Sequence, residues 1–406
     1  MNNCAFTICT WSYLGLAKNL KDSFLHYHSD YDFKIVIIDE VKENDVDCIL
    51  ADDILLKYIS KNRVESMKFQ YDVTEYSTSI KPFAFKNYMD KYSKVIYFDP
   101  DIMCFSHLNE LDDDAIAFVT PHVSRMENTD NVLEEANILN HGVFNCGFIA
   151  FRSCSKSMTF IDWWANRLID YCYDDLTLGI YTDQKWVDYI PVFLGNQLKI
   201  ISNCGYNYAP WNYCSNEVII KNNNYFLKPR QKEGELVKLC FAHFSGFNYQ
   251  KLIQGETEHS FRNIYSYHDI EPLLLCYGKN LKEHNSLSFI NNPYKYNFYS
   301  NGKLISKLNR RLYRTIKEKK RIKEPFNSKK MFYGIMSKNK LLSDIPDAKK
   351  KNTAGVNNKE RFIYLFFKCI KKILGIKKYT EFLRAMQIYS TYGKQDFLIS
   401  NNYKKK

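Results

Sequence analysis

Glycine and proline are scarce, with 15 and 10 among 406 residues. That excludes a collagen-like or linker-dominated chain. No stretch reaches the 18 consecutive apolar residues of a membrane-spanning helix. The start, Met1 to Trp11, has no basic region followed by a long apolar run, so it does not read as a secretory signal. The twelve cysteines (4, 9, 48, 104, 146, 154, 172, 204, 214, 240, 276 and 369) contain no C-x-x-C pair and no repeated spacing. They do not form the framework of a small secreted domain, and most sit in apolar runs where cysteine acts as a small buried hydrophobe. The expected compartment is the reducing cytoplasm.

What is present is a foldable composition: 45% hydrophobic, 16% aromatic and 25% charged. Wholesale disorder is excluded. The length suits a large α/β enzyme domain with an appended segment. Charge is unevenly placed. Residues 1–259 carry 24 Lys and Arg against 35 Asp and Glu, whereas 260–406 carry 33 against 10. An acidic body of net −11 is followed by a basic region of net +23, two regions with different jobs.

The first half reads as alternating strands and helices. Strands are expected at Ala5–Thr10, Phe33–Ile38, Val95–Phe98, Ala115–Thr120, Val143–Phe151 and Leu236–Ala242. Helices are expected over about 13–28, 45–60, 81–91 and 156–172, with Pro82 in the first turn of the third. Apolar strands in repeated βα units imply an α/β fold with a mostly parallel sheet flanked by helices, binding ligands beyond the strands' carboxyl ends. Asp39, Asp99, Asp101 and His243 all fall just there.

Asp99-Pro100-Asp101 follows the buried run Val95–Phe98. Two carboxylates one residue apart can share a hard divalent cation such as Mn²⁺ or Mg²⁺, which also takes phosphate oxygens. They can equally form a polar turn needing no metal. His243-Phe244-Ser245-Gly246 could add a nitrogen ligand and a flexible backbone for phosphate, with Lys251 placed to meet a diphosphate. Lys81 opens a helix, where a cation and a helix N-terminus together favour phosphate. Asn145-Cys146-Gly147, Asp183-Gln184 and Tyr206–Asn212 supply amides, an acid and aromatics suited to sugar recognition, or to turns.

Together these motifs resemble the GT-A glycosyltransferases that use nucleotide-sugar donors. The nearest pattern is that of bacterial sugar transferases related to family 8, and the likeness covers about residues 4–250. Asp99 and Asp101 match its D-x-D. His243 and Gly246 match its H-x-x-G-x-x-K, with the lysine displaced to Lys251. Asn145 and Gly147 match N-x-G, and Asp183 with Gln184 matches a D-Q pair. Pro100 is not the usual middle residue, so a neighbouring family is expected.

The resemblance implies metal binding by Asp101 and His243, with Asp99 bridging metal and donor ribose. It implies diphosphate support by Gly246. Asp183 and Gln184 would lie beside the transferred sugar as the catalytic residues, with Asp183 the candidate carboxylate whether the linkage is inverted or retained. Thr10, Trp11 and Tyr13 with Asp39 would hold the nucleotide, and Lys81 would sit where the family has a basic residue upstream of the D-x-D. The expected donor is a UDP-sugar and the acceptor a glycan or lipid-linked glycan, as in bacterial capsule or lipopolysaccharide assembly. A haloacid-dehalogenase-like phosphohydrolase and a non-catalytic protein with a decayed transferase site are the alternatives.

Residues 1–259 are the expected catalytic domain and 260–336 a basic helical extension. A polar linker follows over 337–358, then a basic amphipathic segment over 359–406. Lys359–Lys378 interleaves seven Lys and Arg with Phe, Ile, Leu and Tyr. That composition suits a helix lying on the anionic inner face of a membrane, or one packed on the acidic body. No nucleic-acid-binding module is recognisable.

Overall fold

The computed structural model describes residues 3–41, 48–125, 132–230, 234–259, 264, 266–343 and 357–399. The chain forms two compact units, residues 1–67 with 73–295 and residues 68–72 with 296–406.

The first unit is built on a seven-stranded sheet. Its strands are β1 (Asn3–Cys9), β2 (Tyr31–Ile37), β3 (Cys48–Leu50), β4 (Lys94–Phe98), β6 (Ala117–Pro121), β7 (Phe144–Arg152) and Leu198–Ile200. A separate short strand, β5 (Ile102–Cys104), follows β4. The spatial order is Leu198–Ile200, β6, β7, β4, β1, β2, β3. β1 runs parallel to β2 and β4, β2 to β3, and β6 to Leu198–Ile200; β7 runs antiparallel to β4 and β6. The expected mixed α/β architecture with a mostly parallel sheet is therefore observed.

Residue choice explains the layering. β4 is buried along its whole length and β7 from Phe144 to Phe151, as strands covered on both faces must be. Helix α1 (Leu14–Tyr27) buries Leu14, Ala17, Leu20 and Phe24 in one cluster with Phe33, Phe98, Phe148 and Phe241. Helix Lys81–Met89 starts with Pro82 in its first turn, where a missing N–H costs nothing.

Two expected elements differ. The helix expected over 45–60 is a short strand, β3, followed by helix Ala51–Leu55; residues 42–47 lie outside the described residues. Leu50, half-buried and extended, pairs with Ile37, so the strand edge wins over helical spacing there. The strand expected at Leu236–Ala242 divides into Val237–Lys238 and Phe241–His243, which join different sheets. Phe241–His243 pairs antiparallel with β5, setting His243 opposite Ile102. That crossing sets the geometry of the candidate site described below.

Residues 260–295, grouped by charge with the basic region, lie in the first unit where described. Leu273, Leu274, Tyr277 and Leu281 of helix Glu271–Glu283 bury in one core with Leu16, Tyr208 and Phe244. In the second unit, helix Lys307–Lys320 packs Leu312, Tyr313 and Ile316 against Phe69, Phe332 and Met336. Its arginines are not all surface charge. Arg310 is only 1% exposed and donates to the carbonyls of Phe69, Tyr71 and Tyr296.

Helix Asn357–Ser390 is interrupted at Gly375, whose φ of 72° takes a conformation glycine adopts without penalty. Phe362, Tyr364, Ile373 and Ile376 on it are exposed. The expected linker over 337–358 falls mostly outside the described residues, with helix Met331–Lys338 reaching its first two positions. No described helix is long and apolar enough to cross a membrane. No disulfide joins the described cysteines.

Candidate metal and donor site

The site forms where the carboxyl ends of the parallel strands meet the start of the antiparallel β7. Asp99 lies just past β4, and its backbone N–H donates to the Gly147 carbonyl at 2.7 Å. Pairing of β6 with β7 shifts register between Val119 and Thr120, so Cys146, Gly147 and Phe148 bulge out of step with β6. Bulges of this kind re-aim side chains beside functional sites. Here the bulge brings Asn145 and Gly147 to the β4 end.

Asp101 is drawn in by the backbone N–H of Phe244, which donates to its carbonyl at 2.9 Å. With β5 paired to Phe241–His243, Asp99, Asp101 and His243 each offer a ligand atom within 4.8 Å of the others. His243 Nε2 lies 3.1 Å from Asp101 Oδ1 and 3.8 Å from Asp99 Oδ2. The other oxygen of each carboxylate is already held: Tyr97 donates to Asp99 Oδ1 at 2.6 Å and Tyr249 to Asp101 Oδ2 at 2.8 Å. One oxygen from each carboxylate and one imidazole nitrogen are thus left converging. Two hard oxygens and an imidazole, oriented by outer hydrogen bonds, fit a divalent cation of the Mn²⁺ or Mg²⁺ type.

Electrostatics follow the geometry. Burial alone raises the Asp101 carboxyl, but the adjoining His243 ring and the Tyr249 hydroxyl outweigh it and hold it below the ordinary aspartate range. Burial disfavours a charged His243, yet Asp101 and Asp99 raise it above the usual histidine value.

Lys81 reaches in from the start of its helix. Its ammonium is buried, 3.0 Å from Asp183 Oδ2 and 3.6 Å from Asp99 Oδ1, and donates to the Cys146 carbonyl at 2.9 Å. It also lies 4.4 Å from the centre of the Tyr97 ring. Burial works against that charge, but Asp183 and Asp99 hold the proton above the ordinary lysine range. Asp183 is itself buried; desolvation raises its carboxyl, and Lys81 only partly offsets this. Thr182, just before it, has φ 44°, an unusual conformation for a β-branched residue. Its N–H donates to Tyr173 and its hydroxyl to Asp183 Oδ1, so the strained turn is tied down on both sides.

Gln184 accepts from the Cys146 N–H at 2.9 Å and donates to the His141 carbonyl. The buried Asn145 side chain donates toward Gln184 Oε1 and faces His122 Nε2. Asp39 accepts from the Trp11 N–H at 2.9 Å, joining the carboxyl ends of β1 and β2, and Thr10 shares a hydrogen bond with Ser12. Tyr13 links this corner to the carboxylates, its ring 5.8 Å from that of Tyr249.

Gly246 has φ 80° in the turn after His243. Lys251 lies on helix Tyr249–Ile253, exposed and paired with Glu256 at 2.7 Å. Its described partner, Glu256, is not a member of the Asp99–Asp101–His243 cluster.

The sequence motifs point to no role for Tyr97, Tyr249 or His122. Tyr97 had a signal, since two residues apart on a strand means the same side as Asp99. Tyr249 had none, because its place depends on the chain folding back after His243. Trp211 was grouped only with possible sugar-binding aromatics; its ring meets His243 edge-on at 5.3 Å.

No family model matches the chain. It is 25% identical over 209 residues to the uncharacterized protein YfnF of Bacillus subtilis (strain 168), covering 49% of this chain and 62% of that one. The matched region thus spans less than two thirds of that relative. Among solved structures it is similar to the galactosyltransferase LgtC in complex with donor and acceptor sugar analogs, at 13% identity and a TM-score of 0.35, over 72% of this chain and 98% of that one. It is also similar to the glycosyltransferase GlyE of Streptococcus pneumoniae TIGR4, at 14% identity and a TM-score of 0.37, over 73% and 66%. A third is the bifunctional glycosyltransferase WbbM, at 12% identity and a TM-score of 0.38, over 72% and 50%. Overlap of this extent fixes neither activity nor substrate, which rest on the site's own residues.

Proposed function

We propose that the chain is a metal-dependent GT-A-type glycosyltransferase moving a sugar from a nucleoside-diphosphate donor, UDP by preference, to a glycan or lipid-linked acceptor. The observation that carries this reading is the convergence of Asp99 Oδ2, Asp101 Oδ1 and His243 Nε2 at the carboxyl ends of a parallel sheet.

Asp99, Asp101 and His243 would hold Mn²⁺ or Mg²⁺, which when bound neutralises charge growing on a departing diphosphate. Thr10, Trp11, Tyr13 and Asp39 would receive the nucleoside, with the Trp11 N–H orienting the Asp39 carboxylate. Gly246 would let the backbone pass close to phosphate. Lys251 would meet the diphosphate by leaving Glu256, and an exposed pair costs little to break. Asn145, Gly147, Asp183 and Gln184 would face the sugar. Asp183, clamped by Lys81, is better suited to accept a hydrogen bond from a sugar hydroxyl than to remove an acceptor's proton.

Calorimetric titration of UDP and GDP, each with and without Mn²⁺, tests the donor site. UDP binding that requires Mn²⁺ and is lost in Asp101→Ala is expected; absence of nucleotide binding under any metal would sink the reading.

The helix Asn357–Ser390 belongs to the same proposal. Phe362, Ile363, Phe366, Ile373 and Leu374 are exposed together with Lys368, Lys371, Lys372, Lys377 and Lys378. Apolar area plus basic charge is the two-part signal for peripheral attachment to an anionic inner membrane, where a lipid-linked surface-glycan acceptor would be met. Co-flotation with phosphatidylglycerol vesicles but not with neutral ones is expected, and equal behaviour with both would count against it.

A further inference from the structure

Which nitrogen of His243 carries a proton follows from a chain of hydrogen bonds that ends on a backbone amide. The Gly147 N–H can only donate, and it donates to Asn145 at 3.1 Å, so the atom there is the carbonyl oxygen, Oδ1. That same oxygen lies 3.0 Å from the Asn207 side chain, which must therefore present Nδ2. Asn207 Nδ2 also donates to Thr120 Oγ1 at 2.9 Å. The remaining atom of Asn207, Oδ1, then faces His243 Nδ1 at 3.3 Å and can only accept. Nδ1 thus bears a hydrogen, which leaves Nε2, beside Asp101 Oδ1 and Asp99 Oδ2, as the nitrogen whose lone pair a cation would take on displacing any proton there.

Every member of this relay is screened from water. Asn207 is 1% exposed, His243 3% and Asn145 8%. Asn207 also has φ 59°, a left-handed conformation that asparagine tolerates better than most residues. Asn212 secures it there, donating to the Asn207 carbonyl at 3.0 Å and accepting from the Ala209 N–H at 2.9 Å. Gly147 is needed for the same closeness, since a Cβ there would lie 2.5 Å from His243 Cε1.

We propose that Asn207 is a positioning residue: locked by Asn145 and the Gly147 amide, it holds His243 in the Nδ1–H tautomer and so sets the protein's affinity for a divalent cation. The inference rests on the metal-site reading above. Hydrogen bonds to the far nitrogen of a metal-binding histidine orient the ring and strengthen it as a ligand, and losing one typically costs 10–100-fold in metal affinity.

The test is Mn²⁺ binding to the full-length protein without nucleotide, read as loss of the free Mn²⁺ paramagnetic resonance signal. Asn207→Leu should weaken binding by roughly 10–100-fold. Asn207→Asp, which keeps an acceptor for Nδ1–H, should recover most of it. Undiminished binding in Asn207→Leu, or an Asp variant as weak as the Leu variant, would overturn the proposal. No Mn²⁺ binding by the wild type would instead sink the transferase reading and this one with it. If the Leu variant does not fold, long-range ¹H–¹⁵N spectra of the wild type loaded with Mg²⁺ decide, with His243→Gln identifying the signal. A protonated Nδ1 is expected, and a protonated Nε2 would refute the assignment.

Discussion

Lys81 places one positive charge between two carboxylates, Asp99 and Asp183, with both it and Asp183 removed from solvent. Removing one partner of such a group leaves buried charge uncompensated, at a cost of about 3–5 kcal/mol. Lys81→Met should therefore lower stability by that order in urea unfolding, and adding Asp183→Asn should recover part of the loss. Strictly additive effects would mean the two residues do not act as a pair. His122 makes a pH prediction. Burial lowers it from 6.5 to about 4, while Nδ1 faces the Gly142 carbonyl and Nε2 the Asn145 amide, as suits a neutral ring. The unfolded chain takes up a proton at higher pH than the folded one. Stability should thus decline as pH falls from about 6.5 toward about 4, by at most roughly 3 kcal/mol from this group, and be insensitive to it above pH 7. In His122→Gln the slope across that window should shrink; an unchanged slope would place the titration elsewhere.

At the scale of elements, the site is a crossing of β4, the bulged start of β7, and the Phe241–His243 strand. Gly147 sits at the crossing. A methyl group there must push aside His243 or the Asn145 oxygen, 2.7 Å away. Gly147→Ala should cost about 1–3 kcal/mol as an overpacking change and abolish Mn²⁺ binding. Normal metal affinity with an added methyl would show that the ring has room the geometry denies it. The ends of β1, β2 and β4 were legible in the sequence because buried apolar runs stop abruptly at Asp39 and Asp99. His243 was legible for the same reason. The partners that orient these ligands were not. Tyr249, Asn207 and Thr120 are brought in by the β5 pairing, the return of the chain after His243, and a bulge, none of which leaves a periodic trace. The helix expected over 45–60 is cut to Ala51–Leu55 because three residues near its start, Cys48–Leu50, complete a sheet edge.

For the molecule as a whole, the contrast between net −11 over 1–259 and net +23 over 260–406 marked two regions, but charge reports surface rather than packing. Residues 271–283 carry part of that basic region, yet their leucines and Tyr277 complete the core of the first unit. Arg310, from the same basic region, is spent inside the second unit on backbone carbonyls. What composition did indicate is an α/β body followed by a basic amphipathic helix, whose apolar residues are exposed.

The central claim is that Asp99, Asp101 and His243 form the metal centre of a sugar-transfer enzyme. The most direct measurement is UDP release from a panel of UDP-sugars, with Mn²⁺ present or removed by chelation, by wild type and Asp101→Ala. Slow release from at least one UDP-sugar, lost on chelation and reduced at least about 100-fold in the variant, is the predicted result, as expected when a metal ligand that stabilises the leaving group is removed. Release that survives both chelation and Asp101→Ala would contradict the account.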